Sequence, residues 1–283
     1  MKSGIVIINK EAEMTSQTVV SKVKKKLNCK KAGHIGTLDP LATGVLPVLL
    51  NDATKLSKYL IEHDKTYVAT VKLGIKTDTA DSEGEIIENQ EISDLDKKFV
   101  YDILKSFEGK QKQAPHRYSA VKINGRKLYE YSRKGEKVDI PKRDIEIYSI
   151  KLLEFDNDEK EITFEVSCSK GTYIRVLCED IAEKLGTIGY MKNLKRTKVD
   201  KFCIENAVKI DDLKEEDIIS VEELFENNLK RLELNNRKLE LFLNGVMLTF
   251  HEEDGTYKIY HDNQFIGLGI VKNKLLKRDI VIS

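Results

Sequence analysis

Twelve residues of this chain, Gly33 to Gly44, read GHIGTLDPLATG and set one histidine, one aspartate and one proline among three glycines. Two roles compete for Asp39. Its side chain can close an Asx-turn while Pro40 fixes φ and the glycines supply positive φ; turn chemistry alone makes this architectural role the stronger reading. The other role is that of a reactive carboxylate. The segment runs straight into VLPVLL (Val45 to Leu50), a continuous apolar stretch that suits a strand covered on both faces, so Asp39 is held rigidly beside a low-dielectric core. His34 lies nearby and basic residues flank the loop. Arg175, in the first turn of an otherwise apolar helix, needs an anionic partner: Glu179, one turn on, is the local choice and Asp39 the functional one. Cys29, His34 and Asp39 do not make a zinc site, because a fourth ligand and a paired C-x-x-C or H-x-x-x-H element are both missing.

The sign of the charge is segregated along a chain that is neutral as a whole. Lys plus Arg (48) nearly cancel Asp plus Glu (47), which excludes a polycation, and only local charge carries information. Basic residues collect at 22–31, 110–127 and 192–201, whereas carboxylates collect at 78–108 and 205–226. Any one such run is ordinary solvated surface; together they suggest a positive face for a phosphate backbone. Tyr67, Tyr118 and Tyr173 then become stacking surfaces for unpaired bases, although each suits a core tyrosine with a bonded hydroxyl equally well.

The elements that must position these residues follow from periodicity. GIVIINK is a short buried strand, and Thr15 or Ser16 caps a helix carrying Val19, Val20, Val23 and Leu27. Tyr67, Ala69, Val71 and Leu73 alternate as in a half-buried strand. A helix from about Asp94, its N-cap, to Gly109 is expected to turn Leu95, Phe99, Ile103 and Phe107 to one side. Lys110 onward reads as an exposed basic arm with an Asn124-Gly125 hairpin signal. ITFEVSCS is a strand, TYIRVLCEDIAEKLG a helix stopped by Gly186, and MKNLKRTKVDKF a basic strand. The chain of 283 residues accommodates a large domain and a small one, with the boundary placed near Lys230 and strands at TYKIY, QFIGLGIV and RDIVIS beyond it. Four cysteines without C-x-x-C pairing point to a reducing compartment, hence the cytoplasm. No signal h-region and no apolar stretch near ~20 residues is present, so no membrane segment is expected.

AGHIGTLDPLATGVLP closely resembles the signature of the bacterial tRNA pseudouridine-55 synthases, the TruB family. Three later blocks, DKTYVATVKLGIKTDTADSEGE, PHRYSAVKINGRKLYEYSRKG and CSKGTYIRVLCEDIAEKLG, resemble that family in the same order, and the four span Gly4 to about Phe202. The resemblance implies an α+β fold: a mixed, largely antiparallel sheet flanked by helices forms a catalytic domain over 1–230. It also implies an RNA-gripping insertion at about 110–143 and a small β-rich, PUA-like domain over 231–283. Asp39 matches the catalytic aspartate, Tyr67 the tyrosine that stacks on the extruded base and is a candidate for the final proton abstraction, and Arg175 the arginine paired with the carboxylate. His34 matches a histidine contacting RNA near the flipped nucleotides, Tyr173 a substrate-contacting tyrosine, and Leu194 a residue lining the uracil pocket. Lys10, Lys65, Arg117, Tyr118 and Lys122 are the further RNA contacts expected.

The implied activity isomerises uridine 55 in the tRNA T-loop by base flipping, with the T-arm as partner, a monomeric enzyme, and neither metal nor cofactor. No P-loop, dinucleotide fingerprint or zinc signature is present, as suits a redox-neutral isomerisation. An ionised Asp39 can attack the ribose, attack the base, or remove a ribose proton, and all three routes stay open. Two other functions fit the same residues: an enzyme modifying ribosomal or another RNA loop, and an RNA-binding or RNA-folding protein. One departure is plain. The family usually reads Asn/Asp-Lys-Pro-x-Gly after the first strand, and here Glu11 and Glu13 stand in the Pro and Gly places.

Overall fold

The computed structural model describes residues 2–60, 63–119, 121–136, 138–225 and 229–282, and the side chains of 122, 129, 132 and 133 lie outside this description. The RNA contact expected at Lys122 is therefore outside the described residues.

A ten-stranded sheet forms the body. Across it, the main strands lie in the order Ile219–Ser220, Gly4–Lys10, Thr43–Leu50, Gly189–Val199, Lys65–Leu73, Glu161–Cys168, Arg143–Asp156 and Gly109–Gln113. Every neighbouring pair along it is antiparallel except one. Thr43–Leu50 and Gly189–Val199 run parallel, sharing only the short register Lys195 to Thr43 and Arg196 to Gly44. The glycine-rich loop enters the sheet at that junction.

Thr43–Leu50 is buried from Gly44 onward, as its uninterrupted apolar run requires. The two faces of the sheet then differ. Val6, Ile8, Leu46, Val48, Tyr67, Ala69 and Leu194 join a core shared with the helices Ser16–Lys26, Lys97–Lys105 and Ile174–Lys184. Ile5, Ile7, Val45 and Leu49 face the other way and pack with Leu268 and Ile280. These last two belong to a five-stranded sheet whose first strand is Lys230–Glu233, so the C-terminal module docks on the back of the large sheet, away from Tyr67. Among the described residues, no helix is long and apolar enough to cross a membrane.

Several local expectations shift. Thr15 is the N-cap, accepting from the Thr18 N–H, which frees Ser16 for another task. The helix expected from Asp94 starts at Lys97 with Asp96 as its cap, accepting from the Phe99 N–H. Val100 and Leu104 are its buried residues, while of the side expected to face inward Phe107 is buried, Leu95 and Ile103 are partly buried against the same core, and Phe99 is exposed. The basic arm does not begin at Lys110: Gly109–Gln113 is an edge strand of the large sheet, paired with Arg143–Ile147. Beyond it stand the hairpin Lys122–Ile123/Arg126–Lys127 and the helix Leu128–Arg133. Asn124 and Gly125 both have positive φ (51° and 81°), the turn geometry that their dipeptide signals.

The turn after Lys10 persists without its usual Pro and Gly. Glu13 occupies φ 63°, the left-handed region that glycine enters without steric cost. A side chain there costs about 1–2 kcal/mol, partly offset by the greater chain entropy glycine would lose. Glu13→Gly is expected to stabilise the protein by about 1 kcal/mol, raising Tm by roughly 2 °C in a thermal melt. A lowered Tm would show that the Glu13 side chain makes a compensating contact.

Candidate active site

One row of residues crosses four adjacent strands: Lys10 opposes Gly44, Gly44 opposes Arg196, and Arg196 opposes Tyr67. Opposed residues point to the same side of a sheet, so two cations flank a glycine on one face. Gly44 has φ 103°, and a Cβ there would lie 2.1 Å from the Arg196 carbonyl oxygen, so only glycine permits this approach. The loop before Gly44 folds over the row.

Both cations are buried and point at backbone. Lys10, fully buried, donates from Nζ to the carbonyls of Pro40 (2.9 Å) and Ala42 (2.6 Å). Arg196, 1% exposed, donates from Nε to Val45 O (2.8 Å), and from its two Nη atoms to Gly36 O (2.9 Å) and Thr37 O (3.4 Å). Ser16 closes the remaining gap, its hydroxyl donating to Leu38 O and accepting from Leu38 N, each at 2.9 Å. Asp39 O accepts from Ala42 N (3.1 Å). The loop is thus fastened from Gly36 to Val45 through its main chain, and the Asp39 side chain takes no part in that fastening. Lys10, expected as an RNA contact, is instead a positioning residue behind the loop. Burial pulls its ammonium down to about 8, against the opposing pull of Asp39 and Glu83.

Asp39 leans outward, with its side chain 36% exposed and Oδ2 3.3 Å from Arg175 Nε. The guanidinium is held on its other sides as well. Nη1 meets Asp81 Oδ2 at 3.1 Å and Thr79 O at 3.2 Å, while Nη2 donates to Tyr118 O at 3.2 Å. Asp81 is itself buried and accepts from Thr79 Oγ1 (2.6 Å) and Glu83 N (3.1 Å). Arg175 therefore bridges two carboxylates, one buried and one facing a cavity. Glu179, the local alternative, points elsewhere, with Oε2 4.0 Å from His116 Nε2.

Of the residues singled out from the sequence, Asp39, Lys65, Tyr67, Tyr118, Tyr173, Arg175 and Leu194 line one cavity of about 410 Å³. Tyr67 and Leu194 come from adjoining strands, and Tyr67 stands opposite Arg196 in the sheet. Burial raises the Tyr67 phenol above its ordinary value, and Arg196 pulls it the other way. Tyr173 is held by its backbone: Gln113 Oε1 accepts from Tyr173 N (2.7 Å) and Gln113 Nε2 donates to Tyr173 O (3.1 Å). His34 lies outside this cavity, on an adjoining one of about 570 Å³ that shares the Thr37–Asp39 segment, Tyr118 and Arg175. Burial, then Arg196, lowers the His34 imidazole, which keeps it neutral near pH 7. His116, close to Arg175 and stacked on Tyr118 at 6.0 Å, is pushed by burial down to about 4. Arg117 is exposed and lines neither cavity.

Three side chains at the site carry roles that sequence reading passes over. Arg196 had a usable signal: it sits two residues after Leu194, in the inward phase of an alternating strand where a cation must find partners. Asp81 lies within an acidic turn and Gln113 within a polar basic stretch, and neither context marks them as buried. The described residues hold no cluster of His, Cys, Asp and Glu suited to a metal ion.

Comparison with known proteins shows the family to which the chain belongs. Residues 24–174 match the family described as TruB family pseudouridylate synthase (N terminal domain), and 175–234 match the tRNA pseudouridylate synthase B C-terminal domain. A tRNA pseudouridine synthase B from Francisella philomiragia is 41% identical over 99% of this chain and 97% of its own. One from Aquifex aeolicus is 40% identical over 96% and 97%. Among solved structures, a chain from a Cbf5-Nop10-Gar1 complex superposes with a TM-score of 0.67 at 25% identity, covering 99% of this chain and 84% of that one.

Proposed function

The chain belongs to the TruB family of pseudouridine synthases, and from that footing we propose that it converts uridine 55 in the T-loop of tRNA to pseudouridine. The observation that carries the proposal is the Asp39 carboxylate. It is part-exposed on the wall of a cavity walled also by Tyr67 and Leu194, with Arg175 fixed behind it.

A uridine stacked in an RNA loop presents neither its glycosidic bond nor its ring face, so it must be flipped into a pocket of this kind. Asp39 then assists cleavage of the N1–C1′ bond, by attack on the sugar or the base or by removing a ribose proton. The freed uracil turns and rejoins C1′ through C5. The C5 proton is lost, N1 gains one, and no electrons are exchanged. Tyr67 lines the cavity, where the nearby Arg196 charge offsets part of the burial that raises its phenol, and it is the group placed to take the C5 proton. Because C5 loses its hydrogen, tRNA carrying tritium at uridine C5 should release one tritium per molecule into water; no release above background would refute the activity.

Affinity has a separate source. Lys24, Lys30, Lys31 and Gly33 line a concave surface of about 440 Å³ that has no carboxylate on its rim and leads along the Ala32–His34 strand to His34. The three ammonium groups have no partner among the described residues. Gly33 is not demanded by the fold, since a Cβ there would meet no atom within 4 Å. Open lysines beside a bare backbone suit a phosphodiester chain passing close by. Replacing Lys24 and Lys31 together by Ala should weaken tRNA binding most at low salt and flatten the log Kd against log salt slope by about 1.5–2. An unchanged slope would take the RNA off this face.

A further inference from the structure

Ser119 is 6% exposed, and among the described residues its hydroxyl meets no hydrogen-bond partner. It lines the same cavity as Asp39, Tyr67, Tyr173, Arg175 and Leu194. Its position is not loose, because the carbonyl of the preceding residue, Tyr118, is held at 3.2 Å by Arg175 Nη2, the arginine that contacts Asp39.

A buried hydroxyl without a partner is unfavourable, and alanine or cysteine would fill the place without that cost. Such a group at the wall of a ligand cavity is explained when the ligand supplies its partner, because its hydrogen bond is then made only in the complex. Much of the remaining wall cannot serve the ring: Tyr67 and Leu194 offer apolar surface, and Arg175 is already engaged on its Nε and both Nη atoms. A uracil seated there brings two carbonyl oxygens and one N–H along its edge, and a hydroxyl can donate to the former or accept from the latter.

We propose that Ser119 is a substrate-binding residue whose hydroxyl donates a hydrogen bond to a carbonyl oxygen on the polar edge of the flipped uracil and aligns the ring for attack beside Asp39. The inference rests on this cavity being the uridine pocket, and the test keeps the two claims apart.

The experiment measures single-turnover pseudouridine formation by wild type and Ser119→Ala. Substrates are T-arm RNA with ordinary uridine at the target, and with 2-thio- or 4-thiouridine there, sulfur being the weaker acceptor. Thermal melts and RNA Kd values accompany the rates. Ser119→Ala should react about tenfold more slowly, bind RNA as wild type does, and melt at the same or a higher temperature. Wild type should be slowed by one of the two thio substitutions, and the variant should not be slowed further by it. A variant as fast as wild type, equal thio effects in both proteins, or a Tm that falls together with the rate would each overturn the assignment of Ser119. If wild type itself forms no pseudouridine, the reading of the cavity fails, which is a different result.

Discussion

Asp39→Asn should bind tRNA as tightly as wild type and form essentially no pseudouridine, a loss of about a thousandfold or more in single-turnover rate. The separation of the two effects follows from how the loop is built. Lys10, Ser16 and Arg196 hold it through main-chain groups of Gly36, Thr37, Leu38, Pro40, Ala42 and Val45, and Asp39 adds only a backbone carbonyl to that set. Asparagine has nearly the same shape and leaves every one of these bonds intact. What it removes is the negative charge beside Arg175 Nε, the feature proposed to react. RNA affinity comes mainly from phosphate contacts and is insensitive to one uncharged wall atom. Tritium release and filter binding on the same variant measure both halves. Residual activity within tenfold of wild type would remove Asp39 from the chemistry, and loss of binding together with activity would give it a structural role.

The second large effect is expected at Arg175. Arg175→Lys should lower the rate by about a hundredfold and also destabilise the fold, by about 3 kcal/mol. Its guanidinium addresses Asp39, Asp81, Thr79 O and Tyr118 O from three nitrogens in a plane. An ammonium is a compact point charge and cannot span those directions. If it stays with Asp81, Asp39 loses its fixed partner. If it moves to Asp39, the Asp81 carboxylate, whose side chain is only 5% exposed, is left in the interior without its cation. Both arrangements cost, one in rate and one in stability, so the variant should show a slower reaction and a lowered Tm together. Glu179→Gln is the matched control: this residue lies one turn away without contacting Arg175, and its loss should leave the rate near wild type. An unaltered rate in Arg175→Lys would break the proposed ion pair.

The groups of the candidate site were legible because their types and order are unusual in sequence. An aspartate in a glycine-rich loop before an apolar strand, and a lone arginine opening an apolar helix, each ask for a partner; the fold makes them partners. Sequence pattern placed Tyr67 and Leu194 each in a strand, and turn chemistry located Asn124-Gly125 and the stop at Gly186. What stayed hidden is long-range pairing of polar groups. Lys10 reads as a surface lysine after a strand, and only the register of Gly4–Lys10 against Thr43–Leu50 puts it opposite Gly44 and under the loop. Asp81 and Gln113 sit in stretches whose composition is that of solvated surface, yet each is drawn inside by a partner about sixty residues or more away. The late start of Lys97–Lys105 has a local cause, two aspartates close enough to compete as caps, with Asp96 winning. Glu13 shows the converse, a position where a residue of the wrong type adopts the backbone that the turn requires.

The central claim is that the Asp39 cavity isomerises one particular uridine, and mapping tests it most directly. Unmodified tRNA transcript is incubated with the protein and read by carbodiimide derivatisation and primer extension, which stops at pseudouridine. A single new stop at the T-loop uridine, position 55, absent with Asp39→Asn, is the result expected. Stops confined to other positions, or tRNA that is bound and left unconverted, would contradict it.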